Sequence, residues 1–76
     1  MTKHEKKQLE QIIETIEDAQ ADVTILLTQE QDRLDSIGNS PSQIDRAIRL
    51  ESNIDNLKEA DENLTNALYA LEDILN

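Results

Sequence analysis

Carboxylates are the most numerous side chains in this sequence that could do chemistry. The chain has 17 aspartates and glutamates, one histidine and no cysteine. Paired carboxylates act as general acid and base only where a cleft holds them around a substrate. The one histidine, His4, lies at the N-terminus, and the sequence has no Glu-x-x-His motif of the di-iron bundle type. We therefore expect no catalysis, no metal and no other cofactor.

Motifs for nucleotides and calcium are also missing from the sequence. The single glycine, Gly38, cannot supply a glycine-rich phosphate loop. The stretch DSIGNSPSQID over 35–45 lacks the alternating acids and the closing glutamate of an EF-hand loop. Few Arg, Lys or aromatic side chains are present to hold a phosphate or a base, so a small ligand between protomers is the weakest hypothesis. Function must therefore be sought on the surface.

The acids form two rows at helical spacing, one in each half of the chain. Residues 8–32 contain no Lys or Arg, and residues 50–76 contain Lys58 alone. Like charges four residues apart destabilise a helix by a few tenths of a kcal/mol, so a simple solvated surface would more often mix signs. Tyr69 lies off the apolar stripes and is a common type of anchor in binding patches. The candidate partner-binding residues are Glu10, Glu14, Asp18, Asp22, Glu51, Asp55, Glu59, Glu62 and Tyr69.

The net charge of −10 limits the class of partner. Nucleic acids and anionic membranes are both negative, so we expect neither as a direct partner. A basic protein is the favoured partner. The longest apolar run, Ala67–Leu71, has five residues, and no apolar segment follows the basic N-terminus. These features predict a cytoplasmic protein without a membrane span or a signal peptide.

Apolar residues in a seven-residue repeat predict two long helices. With one tyrosine and no phenylalanine or tryptophan, β architectures are disfavoured. The repeat is typical of coiled coils and helical bundles, and Ile13, Leu27, Leu34 and Ile48 widen the stripes beyond a two-stranded seam. The predicted core and dimer residues are Leu9, Ile12, Ile16, Val23, Leu26, Leu50, Ile54, Leu57, Leu64, Leu68 and Leu71.

The residues at the midpoint of the chain predict a turn between the two helices. Gly38 is expected to end the first helix in the left-handed conformation. Ser40 is expected to cap the second helix, with Pro41 at its first position and Gln43 completing a capping box. The predictions are a helix over about 3–37, a turn over 38–40 and a helix over about 41–75, within one domain over 1–76. One long helix kinked at Pro41 is the alternative.

This all-α, antiparallel helical hairpin is expected to associate further. Pairing the helices about the turn puts Asp61 opposite Ile16 and Glu30 opposite Ala47. Two helices cannot surround a core, and wide apolar stripes need more than one neighbour. We therefore predict a homodimer that forms a four-helix bundle. Polar Glu30, Asn53 and Asp61 on or beside the stripes are expected to fix the register.

Several short stretches carry a resemblance to a known type of protein. They are Lys3-Lys6-Lys7, Pro41, Ile54-Asp55-Asn56-Leu57, Ala60, Ala67 and Leu71-Glu72-Asp73-Ile74. With them the chain resembles small acidic helical-hairpin accessory proteins of phages and mobile elements in Gram-positive bacteria. The resemblance implies a protein of the host cytoplasm that binds and inhibits a host or defence protein.

The favoured hypothesis from sequence is a non-catalytic protein-interaction module. It self-associates and binds a basic protein through its acidic helix faces, as a phage-type inhibitor does. Two alternatives stay open. One is a purely structural oligomerisation or assembly module, and the other is a nucleic-acid mimic that docks in the basic groove of a nucleic-acid-binding protein.

Overall fold

Two long helices make up nearly all of the fold. The computed structural model describes residues 1–38 and 41–76. In these ranges α1 runs over Lys3–Ser36, a short 3-10 helix covers Pro41–Gln43, and α2 runs over Ile44–Leu75. No strand occurs in the described ranges, and the molecule measures 60 × 15 × 13 Å. The predicted all-helical hairpin is confirmed.

A capping box begins α1. The Glu5 backbone N–H donates to the Thr2 hydroxyl at 3.1 Å, and the Thr2 backbone N–H donates to Glu5 Oε1 at 3.0 Å. Two N–H groups that lack a helical partner are thereby satisfied. The hydrogen bond that the Thr2 backbone N–H donates to the Glu5 carboxylate, followed by the interaction of that carboxylate with the Thr2 side chain, lowers the pKa of Glu5 from its ordinary value of 4.5.

The end of α1 differs from the prediction. Ile37 follows the helix in extended backbone, with φ −76° and ψ 127°, and its N–H donates to the Leu34 carbonyl at 3.2 Å. Gly38 does not have positive φ, so the predicted left-handed glycine is wrong. The helix ends through the extended turn of Ile37 instead.

The start of α2 also differs from the prediction. Pro41 opens the short 3-10 helix, and α2 begins only at Ile44. Gln43 is the N-cap residue of α2 and makes no side-chain capping bond. The predicted cap at Ser40 lies outside the described residues.

The helices meet along a seam whose members alternate at spacings of three and four residues. This average of 3.5 is the spacing of a left-handed coiled coil. Every member is buried or half-buried. The seam consists of Leu9, Ile13, Ile16, Gln20, Val23, Leu27, Glu30 and Leu34 on α1, of Ile37 directly after α1, and of Ala47, Leu50, Ile54, Leu57, Asp61, Leu64, Leu68, Leu71 and Leu75 on α2.

The core of this hairpin is small. Its buried side chains are Leu9, Ile13, Leu50, Ile54 and Leu68, and no described residue is completely enclosed. Leu9, Ile13 and Leu68 pack together at the end remote from the turn, where other seam residues cover them. Two helices thus leave most of the seam open to water along its flanks.

The register of the seam is shifted by about one helical turn from the predicted one. Asp61 faces Gln20 rather than Ile16, and Glu30 bonds to Asn53 rather than facing Ala47. The physical reason is the late start of α2. Because α2 begins at Ile44, the connection is longer than expected, and residues of α2 with higher numbers come level with a given residue of α1.

Candidate protein-interaction surface

The two acidic rows lie on one side of the hairpin. Leu26 of α1 and Asn53 and Asn56 of α2 line one open groove. These three residues therefore lie on the same flank of the seam. At about 100° per residue, the acids project from the opposite flank of each helix. We call this surface the acidic face; it consists of Glu10, Glu14, Glu17, Asp18, Glu51, Asp55, Glu59 and Glu62.

The two rows follow one another along the rod. The bond between Gln20 and Asp61 sets these two residues at the same level. The α1 row therefore covers the half remote from the turn, and the α2 row begins where the α1 row stops and continues towards the turn. Together they span about 21 residues of helix, or about 32 Å. Sequence alone showed two rows but not that they join.

The predicted partner-binding residues are all exposed. Tyr69 is 64% exposed and lies seven residues after Glu62, so it extends the α2 row. Asp22 departs from the expectation. It lies four residues, or about one helical turn, before Leu26 and therefore projects from the same flank as Leu26. The acidic face therefore contains the other predicted acids without Asp22.

The carboxylates of the acidic face have no ion-pair partner within the described ranges. The salt bridge found there joins Arg33 to Glu30, outside this face. Lys58 is the one cation between the acids of the α2 row. Unpaired carboxylates on one surface sum to a negative potential that attracts a cationic partner and accelerates its association.

A polar group in the seam ties the helices together at mid-length. The Gln20 side-chain amide donates to Thr65 Oγ1 at 2.6 Å, to Asp61 Oδ1 at 3.0 Å and to the Asp61 carbonyl at 3.4 Å. Since a slip of α2 would break these bonds, they select the register. Sequence reasoning singled out Asp61 and missed Gln20 and Thr65. The signal for Gln20 was its place in the alternating seam of α1.

A second polar group lies nearer the turn. The Asn53 amide donates to Glu30 Oε2 at 3.1 Å, and Arg33 pairs with Glu30 Oε1. The bond from Asn53, followed by that from Arg33, lowers the pKa of Glu30 from its ordinary value of 4.5. The Glu30 side chain is 15% exposed, and these two donors favour its ionised form.

The flank opposite the acidic face is almost uncharged over its middle part, and at its ends the same spacing continues through Glu5, Arg33, Arg46 and Arg49. Ile12 and Leu26 were predicted as core or dimer residues; they are 50% and 49% exposed and lie here, outside the hairpin core. We call this surface the neutral face. Its members are Gln8, Ile12, Thr15, Ala19, Asp22, Leu26 and Gln29 on α1, and Asn53, Asn56, Ala60, Asn63, Ala67, Ala70 and Ile74 on α2.

Sequence reasoning missed the neutral face because it treated each helix alone. The signal was present, since its members repeat the alternating spacings of three and four residues on both helices. Within the described ranges there is no group of three or more His, Asp and Glu residues that could hold a metal ion. Nor is any helix there both long and apolar enough to cross a bilayer.

Comparison with models of known protein families, with curated proteins and with solved structures gives no significant match. The two faces of the hairpin are therefore the observations that bear on function.

Proposed function

We propose that this chain is a non-catalytic interaction module that binds a basic protein through its acidic face. The observation that supports this proposal is the joining of two acidic rows into one surface about 32 Å long with Lys58 as its one cation. Like charges spaced at one helical turn repel one another, and a basic partner relieves this repulsion. Covering a basic groove in this way would inhibit the protein that carries it.

We propose further that two hairpins associate into a four-helix bundle in the cytoplasm. Support comes from the small core, in which only five side chains are buried among the described residues. Half-exposed Ile12, Leu26 and Ile74 lie beside the seam, where a second hairpin would cover them. A dimer would also present two acidic faces.

The first test measures binding of a fluorescently labelled arginine-rich peptide by titration. The acidic-face variant carries Glu51→Gln, Asp55→Asn, Glu59→Gln and Glu62→Gln. We expect its dissociation constant to rise by about tenfold, which corresponds to about 1.4 kcal/mol. Helical content by circular dichroism should not change, because all four side chains are exposed.

A matched control separates a surface effect from an effect of net charge. Asp55→Asn on the acidic face is compared with Asp22→Asn, which is also exposed but lies on the opposite flank. Each substitution removes one negative charge from the total of −10. We expect Asp55→Asn to weaken binding and Asp22→Asn to leave it almost as tight as in the parent chain. Equal weakening in the two variants would contradict the proposal.

The exposed apolar residues of the neutral face favour a second candidate, a structural assembly module. In that case the acids only keep the protein soluble, and the acidic-face variant loses no activity. A nucleic-acid mimic is a narrower form of the first candidate, in which the basic groove belongs to a nucleic-acid-binding protein. Carboxylates about 6 Å apart along a helix suit such a groove.

A further inference from the structure

We infer that the neutral face is the surface on which a second copy of this chain packs, with the two hairpins antiparallel and Ala19 at the two-fold axis. This inference rests on the proposed self-association and specifies its interface and orientation.

The distribution of charge identifies a second copy as the occupant. The neutral face has fourteen residues and one acid, Asp22, whereas 17 acids in 76 residues would place about three there. The same flank continues at its ends through one further acid, Glu5, and three cations, Arg33, Arg46 and Arg49, so it is not negative as a whole. Two copies that each carry −10 repel one another wherever their acids meet. The neutral face is the flank of the seam on which two such chains can approach without that repulsion.

The size of the neutral face suits a modest dimer interface. Its residues span about 21 positions on each helix, or about 32 Å, and the hairpin is 15 Å wide. The two copies together would bury on the order of 1,000 Å², which is the lower limit for a specific interface. We therefore expect a dimer that dissociates on dilution.

The spacing of the large residues on α1 fits an antiparallel pair. Ile12 and Leu26 lie seven residues on either side of Ala19. When a two-fold axis passes at Ala19, each Ile12 faces Leu26 of the second copy and the two Ala19 methyl groups meet. The same axis brings Arg33 near Glu5 of the second copy, so opposite charges meet at the ends of this row.

The second helix follows the same symmetry. Because Gln20 is level with Asp61 and Glu30 with Asn53, the axis that passes at Ala19 also passes close to Asn63. Ala60 then faces Ala67 of the second copy, and small side chains at this crossing let the helices approach closely. Each Ile74 packs beside the aliphatic part of Asn53 of the second copy.

A parallel dimer fits less well. It would set Leu26 against Asn56 of the second copy and would leave Ile12 opposite an alanine, Ala70. It would also bring Arg33 next to Arg49 of the second copy, because these residues are at the same level of the hairpin. Apolar mismatch and like charge both disfavour this orientation.

The first experiment compares two neighbouring residues of similar exposure, Leu26 at 49% and Ile25 at 56%. Only Leu26 lies on the neutral face, since consecutive helical residues point about 100° apart. Leu26→Lys should raise the dimer dissociation constant at least about tenfold, because each copy loses apolar contact. Ile25→Lys should change it less than about twofold.

Substitution by lysine at both positions keeps the change in net charge equal in the two variants. Each substitution reduces the net negative charge by the same amount, which by itself favours association. Analytical ultracentrifugation across a dilution series gives the dissociation constants, and circular dichroism checks that each variant folds. A parent chain that stays monomeric at high concentration would overturn the inference, and so would equal weakening by both substitutions.

The second experiment tests orientation and uses the absence of native cysteine. Ala19→Cys and Ala21→Cys are exposed positions two residues apart that point about 200° from one another. On mild oxidation Ala19→Cys should form a covalent dimer, because a disulfide needs the two Cβ atoms within about 4.5 Å. Ala21→Cys should form little.

The parallel dimer predicts a different pattern of crosslinks. Ala19→Cys would fail to crosslink to itself but would crosslink to Asn63→Cys when the two variants are mixed. That result would overturn the antiparallel orientation. Failure of the interface and failure of the proposed function remain distinguishable, because the acidic-face variant should lose peptide binding while still forming the dimer.

Discussion

Glu30 is a charged residue of the seam whose carboxylate has two protein hydrogen-bond donors. It accepts bonds from Asn53 and Arg33, and Arg46 also lowers its pKa. A lowered folded-state pKa means that the ionised form is favoured by folding. The stabilisation is therefore fully present above the ordinary pKa of 4.5 and is lost as pH falls through the folded-state pKa.

We predict that Glu30→Gln lowers the melting temperature at pH 7 and that the difference from the parent narrows below about pH 4.5. Gln can still accept a bond from Asn53, so the lost part is the charge. Thermal unfolding of both chains is followed by circular dichroism from pH 7 to pH 3. Taking the difference in melting temperature at each pH cancels the effect of titrating the other acids, which both chains share. A difference that stays constant across this range would assign the loss to packing instead.

At the scale of the elements, local sequence rules predict that the chain turns near Gly38 but not the backbone conformation of that turn. The pairing of Gly38 with Pro41 correctly indicated that two helices meet here. It did not indicate how the first one ends, because extended Ile37 and left-handed glycine can both satisfy the last turn of a helix. The 3-10 helix at Pro41–Gln43 then delayed α2 and moved the register.

We predict that Gly38→Ala is tolerated. The backbone at Gly38 does not need positive φ, and an added Cβ would meet nothing within 4 Å. Alanine also reduces the freedom of the unfolded chain, which stabilises compatible sites by about 0.4–1 kcal/mol. Urea unfolding should show an unchanged or higher midpoint. A loss of about 1 kcal/mol would instead indicate a left-handed conformation at this position.

The helices themselves were accessible from sequence, whereas the relation between them was not. Heptad spacing around Leu50, Leu57 and Leu64 was enough to predict a long amphipathic helix. Whether Glu10 and Glu51 share a side of the molecule depends on the direction and level at which two helices pair. That information resides in the Gln20–Asp61 and Glu30–Asn53 contacts, which no single-helix pattern contains.

At the scale of the whole molecule, charge is divided between two sides of one thin rod. The acidic face supplies a field that acts over roughly a Debye length, about 10 Å at 0.1 M salt. The neutral face supplies short-range packing, which needs close contact and is opposed by the net charge of −10. In the proposed dimer the neutral faces are buried and the two acidic faces point away from each other. Each dimer would then bind two basic partners.

This division predicts opposite responses to salt. Raising the ionic strength from about 0.01 M to 0.3 M shortens the Debye length from about 30 Å to less than 10 Å. Screening weakens repulsion between two like-charged chains, so the dimer dissociation constant should fall. Screening also weakens attraction to the arginine-rich peptide, so its dissociation constant should rise. Sedimentation and peptide titration over the same salt series measure both trends. A dimer that weakens with salt would mean that unlike charges, rather than the neutral face, hold the two copies together.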